Sequence, residues 1–188
     1  MNTLFPEQFL PEGFTYYPDF LSLSEEQKLL DEVSGTELHP MIFQGFEAKR
    51  KVSSFGYDWS FEKRTLSKGR EIPEAFHFLI EKLANRIEVP KNAFAELLIT
   101  EYPVGSVINW HRDAPPFDII AGISLLSDCT FRLRPYDKSK QKRGAVVSFP
   151  VQRRSLYIIS GLSRSDWEHS IAAVKQVRYS ITLRTLRN

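Results

Sequence analysis

Hydrophobic and polar residues follow two different periods along the chain, and the change falls near Pro90. Before it, "SLSEEQKLLDEVSG" places Ser22 and Glu25 at capping-box spacing and ends at Gly35, which predicts a helix. "IPEAFHFLIEKLANRIEV" predicts a second helix with Pro73 in its first turn. The apolar stripe of that helix consists of Phe76, Leu79, Ile80, Leu83 and Ile87.

The chain after Pro90 consists of short segments rich in β-branched and aromatic residues, which predict about six strands. These segments are "ELLITEY", "DIIAGISLL", "TFRLRP", "GAVVSF", "SLYIIS" and "RYSITLRTL". Residues 1–21 are expected to be extended coil, and residues 40–72 to form short strands or loops. Helices followed by strands indicate an α+β protein, whose antiparallel sandwich or barrel core is backed by the helices.

The composition restricts the class of protein. A chain of 188 residues with 42% hydrophobic side chains suits one globular domain over residues 1–188. A net charge of +2 does not mark a nucleic-acid binder, so any basic surface must be local. The single cysteine, Cys129, excludes a disulfide framework and a multi-cysteine metal site. Without a membrane-spanning apolar run or a signal peptide, we expect a soluble, cytoplasmic protein.

A possible metal site begins in "NWHRD", which follows a predicted strand. His111 and Asp113 stand two positions apart, so on a strand both side chains project from the same face. A third ligand must come from elsewhere, and His169 lies in the strand-rich half, unlike His39 and His77. Two histidines and one carboxylate form the facial triad of non-haem Fe(II) oxygenases. The alternative is a hydrogen-bonded strand end with an unrelated surface histidine.

The last predicted strand, "RYSITLR", carries two arginines on one face. Arg178, Ser180, Thr182 and Arg184 alternate with apolar residues, so they share that face. Two guanidinium groups pointing into a core are costly unless an anion meets them, and a dicarboxylate would supply one carboxylate for each. The alternative is an edge strand with two solvated arginines.

These motifs together resemble the AlkB-like Fe(II)/2-oxoglutarate-dependent dioxygenases. "TEYPVGSVINWHRD" is similar to the family segment that leads to the H-x-D motif, and "RYSITLR" is similar to its co-substrate strand. The resemblance runs from about Met41 to the C-terminus. It implies a double-stranded β-helix (jelly-roll) core backed by N-terminal helices, with residues 40–72 as a substrate-recognition lid.

The resemblance also implies roles for individual residues. His111, Asp113 and His169 would bind Fe(II). Arg178 would pair with the distal carboxylate of 2-oxoglutarate, and Arg184 would lie nearer the iron. Further co-substrate contacts would come from Tyr102, Thr100 and Ser180.

The sequence departs from the family pattern at a few positions. Thr100 and Ser180 stand where many members have asparagine, but both can still form hydrogen bonds. Ala114 and Pro115 follow the H-x-D motif where the best-known member has polar substrate contacts. This departure leaves the choice of substrate open, but not the chemistry.

The activity that the resemblance implies is oxidative demethylation of N-alkylated bases in DNA or RNA, as in alkylation repair, with consumption of 2-oxoglutarate and O2. The expected partner is alkylated, single-stranded nucleic acid. The protein is expected to be a monomer that does not associate with a membrane. A flipped base needs aromatic platforms and cations for phosphate. The side chains predicted to supply them are Phe46, Arg50, Phe55, Tyr57 and Arg112.

Other interpretations remain at this stage. The same chemistry could act on protein or on structured RNA, because fold and iron site would look alike. The chain could instead be a non-catalytic nucleic-acid-binding module with a structural metal. A zinc hydrolase is disfavoured, because it has no use for the arginine strand and no general-base motif is present.

Overall fold

The computed structural model describes residues 10–43 and 45–187. Its helices are α1 (Leu23–Ser34), α2 (His77–Ile87) and α3 (Gly161–Ser165). Its strands are β1 (Phe14–Tyr17), β2 (His39–Phe43), β3 (Phe46–Ser60), β4 (Thr65–Lys68), β5 (Phe94–Tyr102), β6 (Ile108–His111), β7 (Phe117–Leu125), β8 (Cys129–Pro135), β9 (Val147–Val151), β10 (Leu156–Ile159), β11 (Trp167–Ile171) and β12 (Arg178–Leu186).

The strands form two antiparallel sheets. The major sheet has 8 strands in the order β1-β10-β7-β12-β5-β3-β2, with β4 paired to β3. The minor sheet has 4 strands in the order β6-β11-β8-β9. Within the minor sheet, His169 of β11 lies directly opposite His111 of β6. Strand pairing therefore brings together two residues that are far apart in sequence.

The outer face of the major sheet packs against the helices. On β12 this face carries Ile181 and Leu183, both fully buried together with Leu29 of α1 and Leu83 of α2. Burial of one such side chain stabilises the fold by about 1.5–3 kcal/mol. The apolar stripe predicted for α2 thus packs on a sheet whose alternate residues face away from it.

The inner face of the major sheet meets the minor sheet. An aromatic cluster fills part of the space between them, including Phe117, Phe131, Phe149 and Tyr157. The ring of Tyr157 crosses over Gly122 so closely that a Cβ at that position would lie 2.1 Å from the ring. The remaining part of the inner face is polar, and it is formed mainly by β12 and β5.

The two predicted helices are present, with one difference in detail. The capping box of α1 is formed by Ser22 and Glu25, and Gly35 is its C-cap. The second helix begins at His77 rather than in the turn after Pro73, because Glu74–Phe76 is a separate 3-10 turn. Proline tolerates either geometry, because neither the 3-10 turn nor the first turn of an α-helix needs a backbone N–H donor at this position.

Two segments are more ordered than the sequence suggested. The expected N-terminal coil contains β1, which pairs with β10 and places Phe14 in the inter-sheet cluster. Residues 40–72 form a long ribbon of β2, β3 and β4. Gly56, at φ 83°, lies so close to Ala95 that a side chain would not fit, and β3 changes partner from β5 to β4 at this point. None of the described helices is long and apolar enough to cross a membrane.

Candidate metal and co-substrate site

Three predicted metal ligands converge at one end of the space between the sheets. One ligand atom from each of His111, Asp113 and His169 lies within 4.8 Å of the other two. Nε2 of His169 is 3.5 Å from Oδ2 of Asp113, and the two imidazole centroids are 4.3 Å apart. Atoms this close can share one first-row ion, whose bonds to nitrogen and oxygen are about 2 Å long.

Both imidazoles are held in a form that can bind a metal. Nδ1 of His111 donates to the carbonyl oxygen of Asn109 at 2.9 Å, which leaves Nε2 as the nitrogen available to a metal. His169 stacks on Phe131 at a centroid distance of 5.4 Å. Burial, followed by the neighbouring His111, lowers the pKa of His169 to about 3, which keeps this imidazole neutral.

Asp113 presents one satisfied and one free oxygen. Oδ1 accepts hydrogen bonds from Nε and Nη2 of Arg184, at 3.0 and 2.8 Å. Oδ2 is buried and has no hydrogen-bond partner among the described residues. Burial alone would raise the pKa of Asp113, but Arg184 and the two histidines outweigh it and hold the pKa well below its usual range. A charged, buried oxygen without a partner, facing two imidazoles, fits a metal cation.

Arg178 has buried N–H groups that lack an acceptor, which fits an anion in the same way that Asp113 fits a cation. Its side chain is fully buried, with Nε donating to Oγ of Ser124 at 3.1 Å and the guanidinium 4.8 Å from the ring centre of Tyr102. In the described part of the chain, Nη1 and Nη2 have no partner. Although burial lowers the pKa of Arg178, interactions with Cys129 and the tyrosines raise it overall, so the group stays charged. Two parallel N–H groups fit a carboxylate.

The other predicted co-substrate residues lie on the same face. Tyr102 of β5 is paired with Arg178 of β12, and Thr100 with Ser180. The hydroxyl groups of Tyr102 and Ser180 are 3.4 Å apart. Arg184 lies at the other end of this row, against Asp113. The spacing of β12 therefore separates a carboxylate-binding end from a metal end.

Comparison with known proteins identifies the architecture that carries this site. The model of the 2OG-Fe(II) oxygenase superfamily matches residues 13–184. The chain belongs to this superfamily. The residues described above fit both the Fe(II) and the 2-oxoglutarate that give this superfamily its name.

The relatives of this oxygenase are AlkB homologues. The chain is 31% identical over 173 residues to tRNA (carboxymethyluridine(34)-5-O)-methyltransferase ALKBH8 of Mus musculus, covering 88% of this chain and 25% of that protein. It is 32% identical over 130 residues to RNA demethylase ALKBH5 of Rattus norvegicus, covering 62% of this chain and 31% of that protein. The chain thus spans about a quarter to a third of these relatives.

Solved structures show the same fold at low sequence identity. The structure of OsALKBH1 has a TM-score of 0.76 at 13% identity and covers 96% of this chain and 100% of its own. A 2OG-Fe(II) oxygenase from Burkholderia pseudomallei has a TM-score of 0.67 at 14% identity and covers 94% of this chain and 86% of its own. The predicted jelly-roll fold and the AlkB-like resemblance are confirmed.

The residues predicted to bind substrate in this oxygenase are spread over different environments. Phe55 is 7% exposed and belongs to the helix-packed core, opposite Leu97 on β5, so its prediction as a base platform is wrong. It faces the helices because it alternates with inward-facing positions on β3. Tyr57 lines a groove with Lys68 that contains none of the metal triad. The side chain of Phe46 lies outside the described residues.

The two predicted substrate arginines are held by neighbouring groups. Arg50 is partly buried, and its Nε and Nη2 donate to the sulfur of Met41 at 3.1 and 2.8 Å. Arg112 is exposed beside the triad, donates to the carbonyl of Ser165 at 2.8 Å and covers the ring of Tyr136 at 3.5 Å. Arg112 therefore lies at the surface next to the oxygenase site. Arg50 lies on β3, where its side chain is partly buried against Met41.

Three site residues were missed by sequence reasoning. Ser124 supports Arg178, and Glu96 binds Arg184 from the side opposite Asp113. Nη2 of buried Arg164 donates to the carbonyls of Asp113, Ala114 and Phe117, which holds the loop after the second ligand. The sequence could have indicated Ser124 and Glu96, because each is a polar residue within an otherwise apolar strand segment.

Proposed function

We propose that the chain oxidatively demethylates N-alkylated bases in DNA or RNA and prefers single strands. The observation that carries the chemistry is a pair of complementary deficits between the two sheets: among the residues that the structure describes, Oδ2 of Asp113 and the Nη1 and Nη2 groups of Arg178 have no hydrogen-bond partner. The substrate class is supported by the relatives, which are named as an RNA demethylase, a tRNA methyltransferase and an alkylated DNA repair protein.

In this proposal, each inner residue has a positional task. His111, Asp113 and His169 would hold Fe(II), which with 2-oxoglutarate and O2 supplies the oxidation of the alkyl carbon. Arg178 would bind the distal carboxylate of 2-oxoglutarate through its free edge, and the Tyr102 hydroxyl would add a hydrogen bond. The aromatic cluster and the buried strands would keep bulk water from this end of the site.

No side chain is assigned as a nucleophile or general base. The one thiol, Cys129, is buried on β8 within the inter-sheet cluster. Burial raises the pKa of this thiol, which disfavours the reactive thiolate. Cys129 is therefore a packing residue in this proposal, and the chemistry depends on what the triad binds.

The nucleic acid would approach the side of the site where Arg112 lies. Tyr136 is 50% exposed beneath Arg112, and Trp110, next to His111, lies under Arg134 at 4.2 Å. The turn between β8 and β9 adds exposed cations: Lys138, Lys140, Lys142 and Arg143. Phosphate contacts from such groups make binding depend on salt, and aromatic rings contribute about 1–3 kcal/mol for each stacked base.

The ribbon of residues 40–72 would cover the substrate from the other side. Its β3–β4 part extends beyond β5 where β3 changes partner, and the ribbon carries exposed residues such as Ile42 and Phe61. Within the single domain that we propose over residues 1–188, this ribbon is anchored to the two cores by Phe55, Trp59 and Leu66, while many of its other residues are exposed. We assign it as the lid that closes over a flipped base.

The test is the release of formaldehyde from methylated single-stranded DNA, duplex DNA and RNA oligonucleotides, with succinate measured in parallel. We expect release from single strands, stronger at low salt, and none with the His169→Ala variant. A methyl-lysine peptide is the competing substrate. Robust succinate formation with that peptide, and no formaldehyde from any oligonucleotide, would assign the activity to protein instead. Absence of succinate under all conditions would favour a non-catalytic binding module.

A further inference from the structure

A buried carboxylate on the inner face has no task in the chemistry described so far. Glu96 stands on β5 at 4% exposure, on the same face as Thr100 and Tyr102. An acidic side chain is costly in such a place unless charged partners surround it. Burial raises the pKa of Glu96, and Arg184 opposes this shift. The cost of placing Glu96 here raises the question of what it supports.

The contacts of Glu96 lead to the metal site in one step. Arg184 is directly opposite Glu96 in the pairing of β12 with β5. Nη1 of Arg184 donates to Oε2 of Glu96, while its Nε and Nη2 donate to Oδ1 of Asp113. The second carboxylate oxygen, Oε1, is 3.5 Å from Oγ of Ser54 on β3. The guanidinium of Arg184 thus binds two carboxylates, Glu96 through Nη1 and Asp113 through Nε and Nη2.

This arrangement determines how Asp113 is presented. With Nη1 of Arg184 on Glu96, the Nε and Nη2 of Arg184 bind Oδ1 of Asp113, and Oδ2 lies 3.5 Å from Nε2 of His169. Glu96 also offsets the charge of Arg184, which would otherwise act fully on the ligand carboxylate and weaken it as a donor to a cation. Both effects involve Arg184, because its guanidinium contacts the two carboxylates at once.

We propose that Glu96 is a positioning residue of the metal site, which orients Asp113 through Arg184 and sets the charge at the metal. The inference rests on the proposed metal role of the triad. A merely structural role for Glu96, as a partner that ties β5 to β12, predicts loss of fold stability without a selective change in metal binding.

The experiment compares Glu96→Gln with wild type and with Glu101→Gln, using the full chain after treatment with a chelator. Glu101 lies on the same strand but the other face, where it pairs with Lys51 at 3.7 Å at the surface. Mn(II) is titrated and free Mn(II) is read by its electron paramagnetic resonance signal. 2-Oxoglutarate is then titrated at saturating Mn(II), and the melting temperature is recorded for each variant.

We expect Glu96→Gln to weaken Mn(II) binding about 10–100-fold, the range for groups that orient metal ligands, with 2-oxoglutarate affinity at saturating Mn(II) unchanged or tighter. Glu101→Gln should match wild type. Glu96→Asp, which keeps the charge, should recover most of the Mn(II) affinity.

Three results would overturn the proposal: wild-type Mn(II) affinity in Glu96→Gln, equal weakening of Mn(II) and 2-oxoglutarate, or an unfolded Gln variant, which would assign a structural role. If wild type itself fails to bind Mn(II), the metal site proposed above fails, and this outcome is separate from the others.

Discussion

The two faces of β12 show how one strand serves two purposes. Its outward residues, such as Ile181 and Leu183, are fully buried against the helices in an apolar cluster. Its inward residues Arg178, Ser180 and Arg184 meet hydroxyl groups, an acid pair and the histidine side of the minor sheet. Residues that are adjacent in sequence therefore alternate between an apolar cluster on the outer face and a buried polar environment on the inner face.

The difference shows that residues for stability and residues for chemistry occupy alternate positions of the same strand. Apolar burial on the outer face offsets the cost of leaving charged groups incompletely paired on the inner face. Because the side-chain period of a strand is 2, the two sets do not mix along β12. Substitutions on one face should then change one property and leave the other nearly intact.

The largest effect is expected for Asp113→Ala. This change removes the unpartnered oxygen of the triad, so turnover of 2-oxoglutarate to succinate should fall to the background of the assay. The fold should survive, because the helix-packed core is untouched. Succinate is measured by mass spectrometry and the fold by circular dichroism. Asp118→Ala, at an exposed position on β7, is the control, and turnover near the wild-type rate in Asp113→Ala would exclude this carboxylate as a ligand.

Leu183→Ala should produce the converse result. Removing a fully buried side chain from the outer face lowers the free energy of unfolding by about 2–5 kcal/mol. Turnover per folded molecule should be unchanged, because the inward neighbours keep their contacts. Urea unfolding gives the first quantity and succinate formation the second. Val177→Ala, at a partly exposed position just before β12, should change stability little. A large loss of turnover per folded molecule in Leu183→Ala would show that the faces are coupled.

Arg178→Lys tests the carboxylate end of the inner face. An ammonium group cannot form the two parallel bonds of a guanidinium edge. Losing a charge-assisted hydrogen bond costs about 1.5–3 kcal/mol, so 2-oxoglutarate binding should weaken about 10–100-fold. Mn(II) affinity should stay near wild type. Arg187→Lys, at an exposed position near the end of the chain, is the matched control. Unchanged affinity for 2-oxoglutarate in the Lys variant would reject Arg178 as its anchor.

The last expected effect, small for each pH unit, concerns the acid stability of the metal-free protein. The pKa of His169 is about 3 in the fold, against an ordinary value of 6.5, so the unfolded chain binds a proton more readily. The stabilisation is therefore complete above about pH 6.5 and is lost as the pH falls toward 3. One proton contributes a slope of at most about 1.4 kcal/mol per pH unit. Asp113, whose pKa is lowered, adds loss of the same sign at more acidic pH.

Urea unfolding of chelator-treated protein at several pH values between 7 and 4 measures that slope. The His169→Gln variant should show a shallower dependence in this window, since the titrating imidazole is gone. Identical slopes in wild type and variant would mean that His169 is not held neutral by its surroundings.

Much of the inner face could be predicted from the sequence. The alternation in "RYSITLR" places two arginines on one side of a strand. The i, i+2 spacing also brings His111 and Asp113 near each other, although β6 ends at His111 and Asp113 lies just beyond the strand. The capping box at Ser22 determines where α1 begins, because its groups are local. Such features depend on contacts within a few residues, which the order of amino acids specifies directly.

Only the tertiary structure decided which faces meet. Periodicity indicates that Phe55 alternates with polar residues, but it does not say that Phe55 turns toward the helices. In the same way, "FAELLITEY" shows an acid within an apolar strand, but only the pairing of β5 with β12 places Glu96 against Arg184. His169 faces His111 because β11 pairs with β6. Strand partners and the direction of each face depend on packing between distant segments, whereas the alternation itself belongs to the sequence alone.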